Sequence, residues 1–418
     1  MPRVVILADD LSGASDCGVV CVQAGLTAMV SLGNPPHGAT VDVLSVDAHT
    51  RVLTVHEAAD RMRELVLRYA NDRTTLLFKK IDSTLRGHLG AELGAVLGAR
   101  RTIVPNAVAI MAPAFPANGR TTVGGMHFVD GLPLHEHDVW KREDMQGEAR
   151  IAEMVQGSGL RVGHLDLATV RKPIEERSMT IEELAAWNDV VVCDAETDDD
   201  LAAIAGIAAE LGDRAIWVGS SGLARHLTMG AGLTPMEEIK PQVRTAMIGS
   251  ILFVIGSANI KTKGQAAVLL SNAAIHGIVV PTEVLLAGAG GARWNVYVEE
   301  LCDSIEQGKD VLLTCGADSD IKAEDRPRLT DAIADMTLAV RDGVGALVAS
   351  GGETARKVLD RWGVQTMRLH RELETGVPIS TTVVNQLQPL TVITKAGDFG
   401  QPDTLLHCRD WLTETRVS

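Results

Sequence analysis

The sequence predicts an α/β protein of two domains, each a largely parallel sheet flanked by helices. Three observations support this. Short apolar, β-rich runs recur along the chain, and each breaks into a polar or glycine-rich cluster before apolar residues resume at helical spacing. The alternation fails between Thr228 and Ser250, where Met229-Gly-Ala-Gly-Leu-Thr-Pro235 and Lys240-Pro241 interrupt the periodicity, and it restarts at Ile251. A length of 418 residues suits two domains with ample cores. The expected division is residues 1–230, a linker over 231–250, and a second domain over 251–418.

Composition narrows the class. The balance of 39 basic against 54 acidic residues, net −15, argues against a general nucleic-acid surface but leaves room for a local basic pocket. Six cysteines without a CxxC pair are neither a disulfide framework nor a zinc site. Cys17 and Cys21, one helical turn apart, read as small buried residues. The chain enters a strand within three residues, with no basic flank and apolar signal segment, and no apolar run reaches the ~18 residues a membrane span needs. A reduced, cytoplasmic setting with no membrane partner is expected.

In the first half, Arg3 to Ala8 reads as a buried strand ending at Asp9-Asp10-Leu-Ser-Gly13. Paired carboxylates there suit ligand hydroxyls or general-base work, although one of them is also explained as a helix N-cap. A strand from Val41 to Val46 ends at Asp47-Ala-His-Thr-Arg51, and a helix follows from Val55 to Tyr69. The richest stretch is Thr74-Thr-Leu-Leu-Phe-Lys-Lys-Ile-Asp-Ser-Thr-Leu-Arg-Gly-His88, a strand that turns polar at Lys79, Lys80, Asp82, Ser83 and Arg86. The carboxyl end of a strand is where open α/β sheets bind ligands. Arginine grips a carboxylate as a fork and aspartate accepts from hydroxyls, so a small, hydroxylated anion fits. Gly90, Gly94 and Gly98 share one face of the next helix and suggest close approach to the sheet. Ala107 to Ala112 is a further strand, and Asp130-Gly131 marks a hairpin. His135 to Asp138 reads as a plain polar loop, and Thr180 with Glu183 as a capping box. Asp194 to Asp200 places five acids in seven positions after the strand Val190 to Cys193; a helix dipole accounts for most of them, at roughly 0.3–1 kcal/mol each. Ala215 to Val218 leads into Gly219-Ser-Ser-Gly222.

In the second half, strands at Ile251 to Ile255, Ala346 to Ala349 and Thr391 to Thr394 run into Gly256-Ser257, Ser350-Gly351-Gly352-Glu353-Thr354 and Lys395-Ala-Gly397-Asp398. Glycines let the backbone approach a polyphosphate and helix N-termini aim N–H groups at it, so three such turns point to nucleotide phosphate, with Lys395 adding a point charge. Two standard motifs are absent. Gly256 is followed five residues later by Lys261, so there is no P-loop, and Gly288-Ala-Gly-Gly-Ala-Arg293 fails the dinucleotide fingerprint.

Together, Leu7-Ala-Asp-Asp-Leu-Ser-Gly-Ala14, Asp47 to Arg51, Lys79-Lys-Ile-Asp-Ser-Thr-Leu-Arg-Gly87 and Ala112-Pro-Ala-Phe-Pro-Ala-Asn-Gly-Arg120 resemble the four-carbon acid sugar kinase family. Gly219 to Gly222, Gly256-Ser257, Ser350 to Thr354 and Lys395 to Gly400 continue the resemblance in order over nearly the whole chain. It implies an N-terminal sugar-acid domain, a C-terminal nucleotide domain and an active site in the interdomain cleft. The implied reaction is ATP-dependent phosphorylation of the terminal hydroxyl of D-threonate, D-erythronate or a 3-oxo-tetronate. By position, Asp9, Asp10, Arg51, Lys80, Asp82, Ser83 and Arg86 bind the sugar acid, while Ser257, Gly351, Gly352, Glu353, Thr354 and Gly397 bind ATP. Asp10 is the expected base, with Asp82 and then Asp398 behind it. Mg²⁺ is required by the chemistry, but its ligands cannot be read, and homo-oligomerisation is left open. The rival readings are a non-catalytic acid-sugar sensor, which needs no phosphate turns, and an NAD-dependent sugar-acid dehydrogenase, which lacks its fingerprint.

Overall fold

The computed structural model describes residues 2–33, 41–235, 247–256, 260–271, 275–316, 325–383, 389–397 and 399–416. It divides into two compact units, Met1–Met29 with Gly38–Glu238, and Val30–His37 with Ile239–Ser418.

The strands of the first unit are β1 (Val4–Ala8), β3 (Val43–Asp47), β4 (Leu76–Lys80), β5 (Val108–Ala112), β6 (Arg120–Val123), β7 (Met126–Val129), β8 (Leu132–Pro133), β9 (Val162–Leu165), β10 (Val190–Cys193) and β11 (Ala215–Gly219). The short strand β2 (Ala28–Ser31) is divided between the units at Met29. Seven strands form a parallel sheet in the order β3-β1-β4-β11-β5-β10-β9. Both faces are covered, which is why β1 and β3 are buried along their whole length instead of alternating with solvent. The helices Val55–Tyr69 and Leu89–Arg101 pack on one face, where Val5, Leu7, Leu44 and Val46 meet Met62, Leu65, Val66, Leu93, Val96 and Leu97. The helix Leu11–Gln23 covers the other face, fixed there by Ser45 Oγ donating to the Ala14 carbonyl at 2.6 Å. The loops after neighbouring strands β1 and β4 therefore lead to helices on opposite faces, and the crevice between them is a topological switch point.

A small antiparallel sheet, β6-β7-β8, stands apart. Asp130 and Gly131 take φ values of 50° and 80°, the paired left-handed conformation that a tight two-residue hairpin needs. In the second unit β12 (Ser250–Ile255), β13 (Ile275–Val280), β14 (Asp310–Cys315), β15 (Val344–Ser350) and β18 (Thr391–Lys395) run parallel in the order β13-β14-β12-β15-β18. Next to β18, β17 (Pro378–Thr382) and β16 (Thr366–Glu372) add antiparallel strands.

Three local expectations are corrected. Thr180 and Glu183 lie inside the helix Ile174–Trp187, and Thr180 Oγ1 donates back to the Glu176 carbonyl at 3.1 Å. The capping boxes are Thr54 with Glu57 and Thr197 with Asp200. His135 and His137 are not in a plain loop: a 3₁₀ turn, Leu134–Glu136, precedes a short helix, Asp138–Arg142, whose N-cap is His137. The glycine stripe faces another helix and not the sheet: a Cβ on Gly90 would lie 2.9 Å from the carbonyl oxygen of Met154, beside the helix Ile151–Gln156, while around Gly98 there is open space.

These glycines should respond differently to substitution. Gly98→Ala is expected to stabilise the protein by up to ~1 kcal/mol through helix propensity, whereas Gly90→Ala meets a backbone oxygen that cannot move cheaply and is expected to destabilise it. Urea unfolding of both variants checks this; equal effects would show that the stripe has no packing role.

Candidate functional site

The polar residues singled out in the first half converge at the switch point. Asp9 and Asp10 follow β1, Arg51 follows β3, and Asp82 and Arg86 follow β4, so three adjacent strands deliver them to one crevice. Arg51 is the hub. Its Nε donates to Asp9 Oδ2 at 2.6 Å, NH1 lies 2.9 Å from Asp10 Oδ2, and NH2 lies 3.1 Å from Asp82 Oδ1. Arg86 grips Asp82 in a fork, Nε to Oδ2 at 2.7 Å and NH2 to Oδ1 at 2.9 Å. Thr84 adds its hydroxyl to Asp82 Oδ2 at 2.5 Å. Asp10 also caps the helix Leu11–Gln23 by accepting from the Gly13 N–H at 2.8 Å, so capping and site duties fall on one carboxylate.

The two lysines part company because β4 alternates. Lys79 turns toward the helix Leu89–Arg101, where its ammonium lies 2.8 Å from Glu92 Oε2 with both side chains buried, and it donates to the Lys80 carbonyl at 2.8 Å. Lys80 turns the other way, to Gly13, where an added Cβ would come within 2.7 Å of Nζ. Only 5% of Lys80 is exposed.

Burial alone would raise the Asp82 carboxyl, but Arg86 and Arg51, with Lys80 behind them, hold it well below the usual carboxylate range. Asp9 is likewise lowered against its burial by Arg51, Lys79 and Lys80. Burial would lower the Lys80 ammonium, yet the adjoining Cys17, Asp9, Asp10 and Asp82 raise it. Arg51 is raised against its burial by Asp10, Asp9 and Asp82. Asp9 and Asp82 thus stay ionised at neutral pH beside Arg51, Arg86 and Lys80. Two acceptors are left over: Asp9 Oδ1 and Thr50 Oγ1 are buried and find no hydrogen-bond partner among the described residues. A hydroxylated anion has the groups to satisfy them.

Ser83 enters through its backbone, its carbonyl receiving His127 Nε2 at 2.9 Å. Thr50, Thr84 and His127 were not singled out from the sequence. Thr84 had a legible signal, an aspartate two residues earlier, which is the spacing of a local side-chain turn. His127, 44 residues away from Ser83, had none.

The glycine-rich turns of the second unit follow adjacent strands, β12, β15 and β18. Gly351, at φ 103°, lets the chain turn from β15 into the helix Gly352–Arg361. Among the described residues that helix has no side-chain cap at its start. Thr354 is buried against Gly256, where any side chain would run into its hydroxyl. Gly397 gives its carbonyl to Thr262 Oγ1 at 2.6 Å. Ser257 and Asp398 lie outside the described residues. Lys395 is not a free point charge: it is 1% exposed, and its ammonium donates to the carbonyls of Ala396 and Phe399 at 2.9 and 3.1 Å. Among the described residues the one His/Asp/Glu trio close enough to share a metal is Glu374, Asp403 and His407.

Fold and site together define a protein with a sugar-binding domain ahead of a nucleotide-binding domain. Residues 4–227 match the model of a sugar-binding N-terminal domain, and residues 252–405 that of a nucleotide-binding C-terminal domain. The chain belongs to the four-carbon acid sugar kinase family. It is 39% identical to the D-threonate kinase of Cupriavidus necator across 99% of both chains. It is 31% identical to the D-threonate kinase of Bordetella bronchiseptica across 100% of this chain and 99% of that one. A solved protein of Salmonella typhimurium shares the fold with a TM-score of 0.80 at 18% identity, covering 98% of this chain and 99% of its own. No helix among the described residues is long and apolar enough to cross a membrane.

Asp82→Asn tests the electrostatics of the cluster. It leaves two half-buried guanidinium groups short of a partner and should cost on the order of 2 kcal/mol at neutral pH. The folded Asp82 pKa lies below its ordinary 3.8, so this contribution is complete above about pH 5 and is lost as pH falls through the folded value. The stability gap between wild type and variant, from urea unfolding, should be level from pH 8 to 5 and shrink below pH 4. A gap that widens on acidification would contradict the assignment.

Proposed function

We propose that this chain phosphorylates the terminal hydroxyl of a four-carbon sugar acid with ATP, and that D-threonate is its foremost substrate. The observation that carries the reading is the state of the Asp82–Arg86 clamp. Arg86 commits Nε and NH2 to Asp82 and leaves its NH1 edge uncommitted among the described residues, while Asp9 Oδ1 and Thr50 Oγ1 are buried in the same strand-end cluster without a partner. A carboxylate on that open edge and hydroxyls against Asp9 and Thr50 would complete the hydrogen bonding of the crevice. Arg51, with three carboxylates already in hand, organises the site and is the weaker candidate for the substrate carboxylate.

Phosphoryl transfer asks mainly for alignment and charge neutralisation, with modest help from a base. Of the two candidate bases, Asp10 suits the role better. Asp82 holds two arginines and a threonine and stays far below neutral pH, which makes it a poor proton acceptor. Asp10 keeps a fifth of its side chain exposed and one oxygen shared only with Arg51. The left-handed turn at Gly351 and the helix start at Gly352, which no side chain caps among the described residues, suit ATP phosphates. Mg²⁺ would arrive with the nucleotide, since Glu353 is the one acidic side chain in that first turn. The six free cysteines fit a reducing cytoplasm. Transfer requires the anchored hydroxyl and the γ-phosphate to meet, and exclusion of water at that moment would suppress ATP hydrolysis.

A coupled ADP-release assay over D-threonate, D-erythronate and 3-oxo-tetronates tests the proposal, with D-threonate expected to give the highest kcat/KM. A sensor would bind the acid, show no thermal shift with ATP and release no ADP. Arg86→Ala should raise the sugar-acid KM roughly ten- to a hundredfold, the worth of one charge-assisted contact, with ATP affinity unchanged. Asp10→Asn should bind both substrates and lose on the order of 10²-fold or more in kcat; near-normal turnover would remove Asp10 from the base role.

A further inference from the structure

Behind the loop that carries Asp82 and Arg86 sits an imidazole for which phosphoryl transfer has no use. His127, in β7, is fully buried. Its Nε2 lies 2.9 Å from the Ser83 carbonyl oxygen and its Nδ1 lies 3.0 Å from Thr122 Oγ1. A carbonyl oxygen can only accept, so Nε2 carries the proton, and in a neutral ring Nδ1 then accepts from the Thr122 hydroxyl. Burial favours that neutral ring, pushing its pKa down to about 4 against the raising effect of the Ser83 contact.

The imidazole is itself anchored. Thr122 exchanges two backbone hydrogen bonds with Ala195, each 2.9 Å, and the hairpin amides of Gly124 and Gly125 donate to Asp194 at 2.8 and 3.0 Å. His127 therefore ties a hairpin, fixed to the end of β10, to the residue next to Asp82. The tied segment needs a brace. Leu85 sits at φ 58° and Gly87 at φ 92°, and a left-handed leucine is a conformation that the surroundings must impose.

We propose that His127 is a positioning residue for sugar-acid binding: its Nε2–H holds the Ser83 carbonyl and so sets the angle at which Arg86 presents its open edge. This rests on the assignment of residues 80–86 to the sugar acid. The ring touches no reacting atom and takes no part in proton transfer.

Two amide replacements separate positioning from packing. Glutamine reaches to where Nε2 lies and asparagine only to where Nδ1 lies, so His127→Gln can keep the Ser83 contact and His127→Asn cannot. His127→Gln is expected to keep the D-threonate KM within about threefold of wild type, while His127→Asn raises it roughly tenfold or more with kcat and ATP affinity little changed. Equal behaviour of the two variants, or ATP affinity falling in step with the sugar acid, would overturn the proposal. ¹⁵N-histidine NMR of the wild-type protein supplies a readout that needs no substrate. A neutral Nε2–H ring from pH 8 to 5 is expected, and a ring protonated at pH 6 or carrying its proton on Nδ1 would overturn the proposal. If the wild-type protein turns over no sugar acid while the NMR result holds, the failure lies with the proposed function and not with the brace.

Discussion

One guanidinium holds the sugar-acid half together. Arg51 reaches three carboxylates that arrive from the ends of β1 and β4, and it does so from the end of β3 on the far side of β1. Three nearly buried carboxylates within a few ångströms of each other would repel strongly without it. A buried ion-pair network adds little net stability against an apolar alternative, but breaking one member is costly. The network is therefore better understood as preorganisation. It fixes the edges of the crevice and leaves Asp9 Oδ1 and Thr50 Oγ1 buried without a hydrogen-bond partner among the described residues.

On the proposed function the two units would bind their anions by different means. The first uses side chains with defined geometry, since a small hydroxylated acid must be oriented as well as held. In the second, on the same proposal, backbone would take that part: Gly351 turns at a positive φ into a helix start with no side-chain cap among the described residues. Its buried lysine shows the same economy. Lys395 is taken up by carbonyls of its own loop, which shapes the turn. A buried ammonium so tightly partnered stabilises a loop conformation that its glycines alone would leave loose.

Much of this was legible residue by residue. The helix Val55–Tyr69 and the strand Val190–Cys193 follow from periodicity, and Asp130-Gly131 from turn chemistry, because each depends on neighbours in sequence. The convergence of Asp10, Arg51, Asp82 and Arg86 could be anticipated from their shared place after strands. The misreadings share one cause. Thr180 and Glu183 have capping-box spacing but lie within a helix that starts after Pro173, and the glycine stripe met a neighbouring helix where the sheet was expected. Spacing records what a segment can do, and the surrounding packing selects among those options.

The sequence by itself determined the α/β alternation, the ends of the strands and the chemical character of each loop, because these follow from side-chain periodicity and backbone preference over a few residues. Tertiary structure alone decided who partners whom. It sent Lys79 to Glu92 and Lys80 to the crevice, committed Asp82 to two arginines while leaving Asp10 more open, and brought His127 to the back of Ser83. Except for Asp82 with Arg86, those pairings join residues separated in the chain, and packing of the strands and loops brings them together.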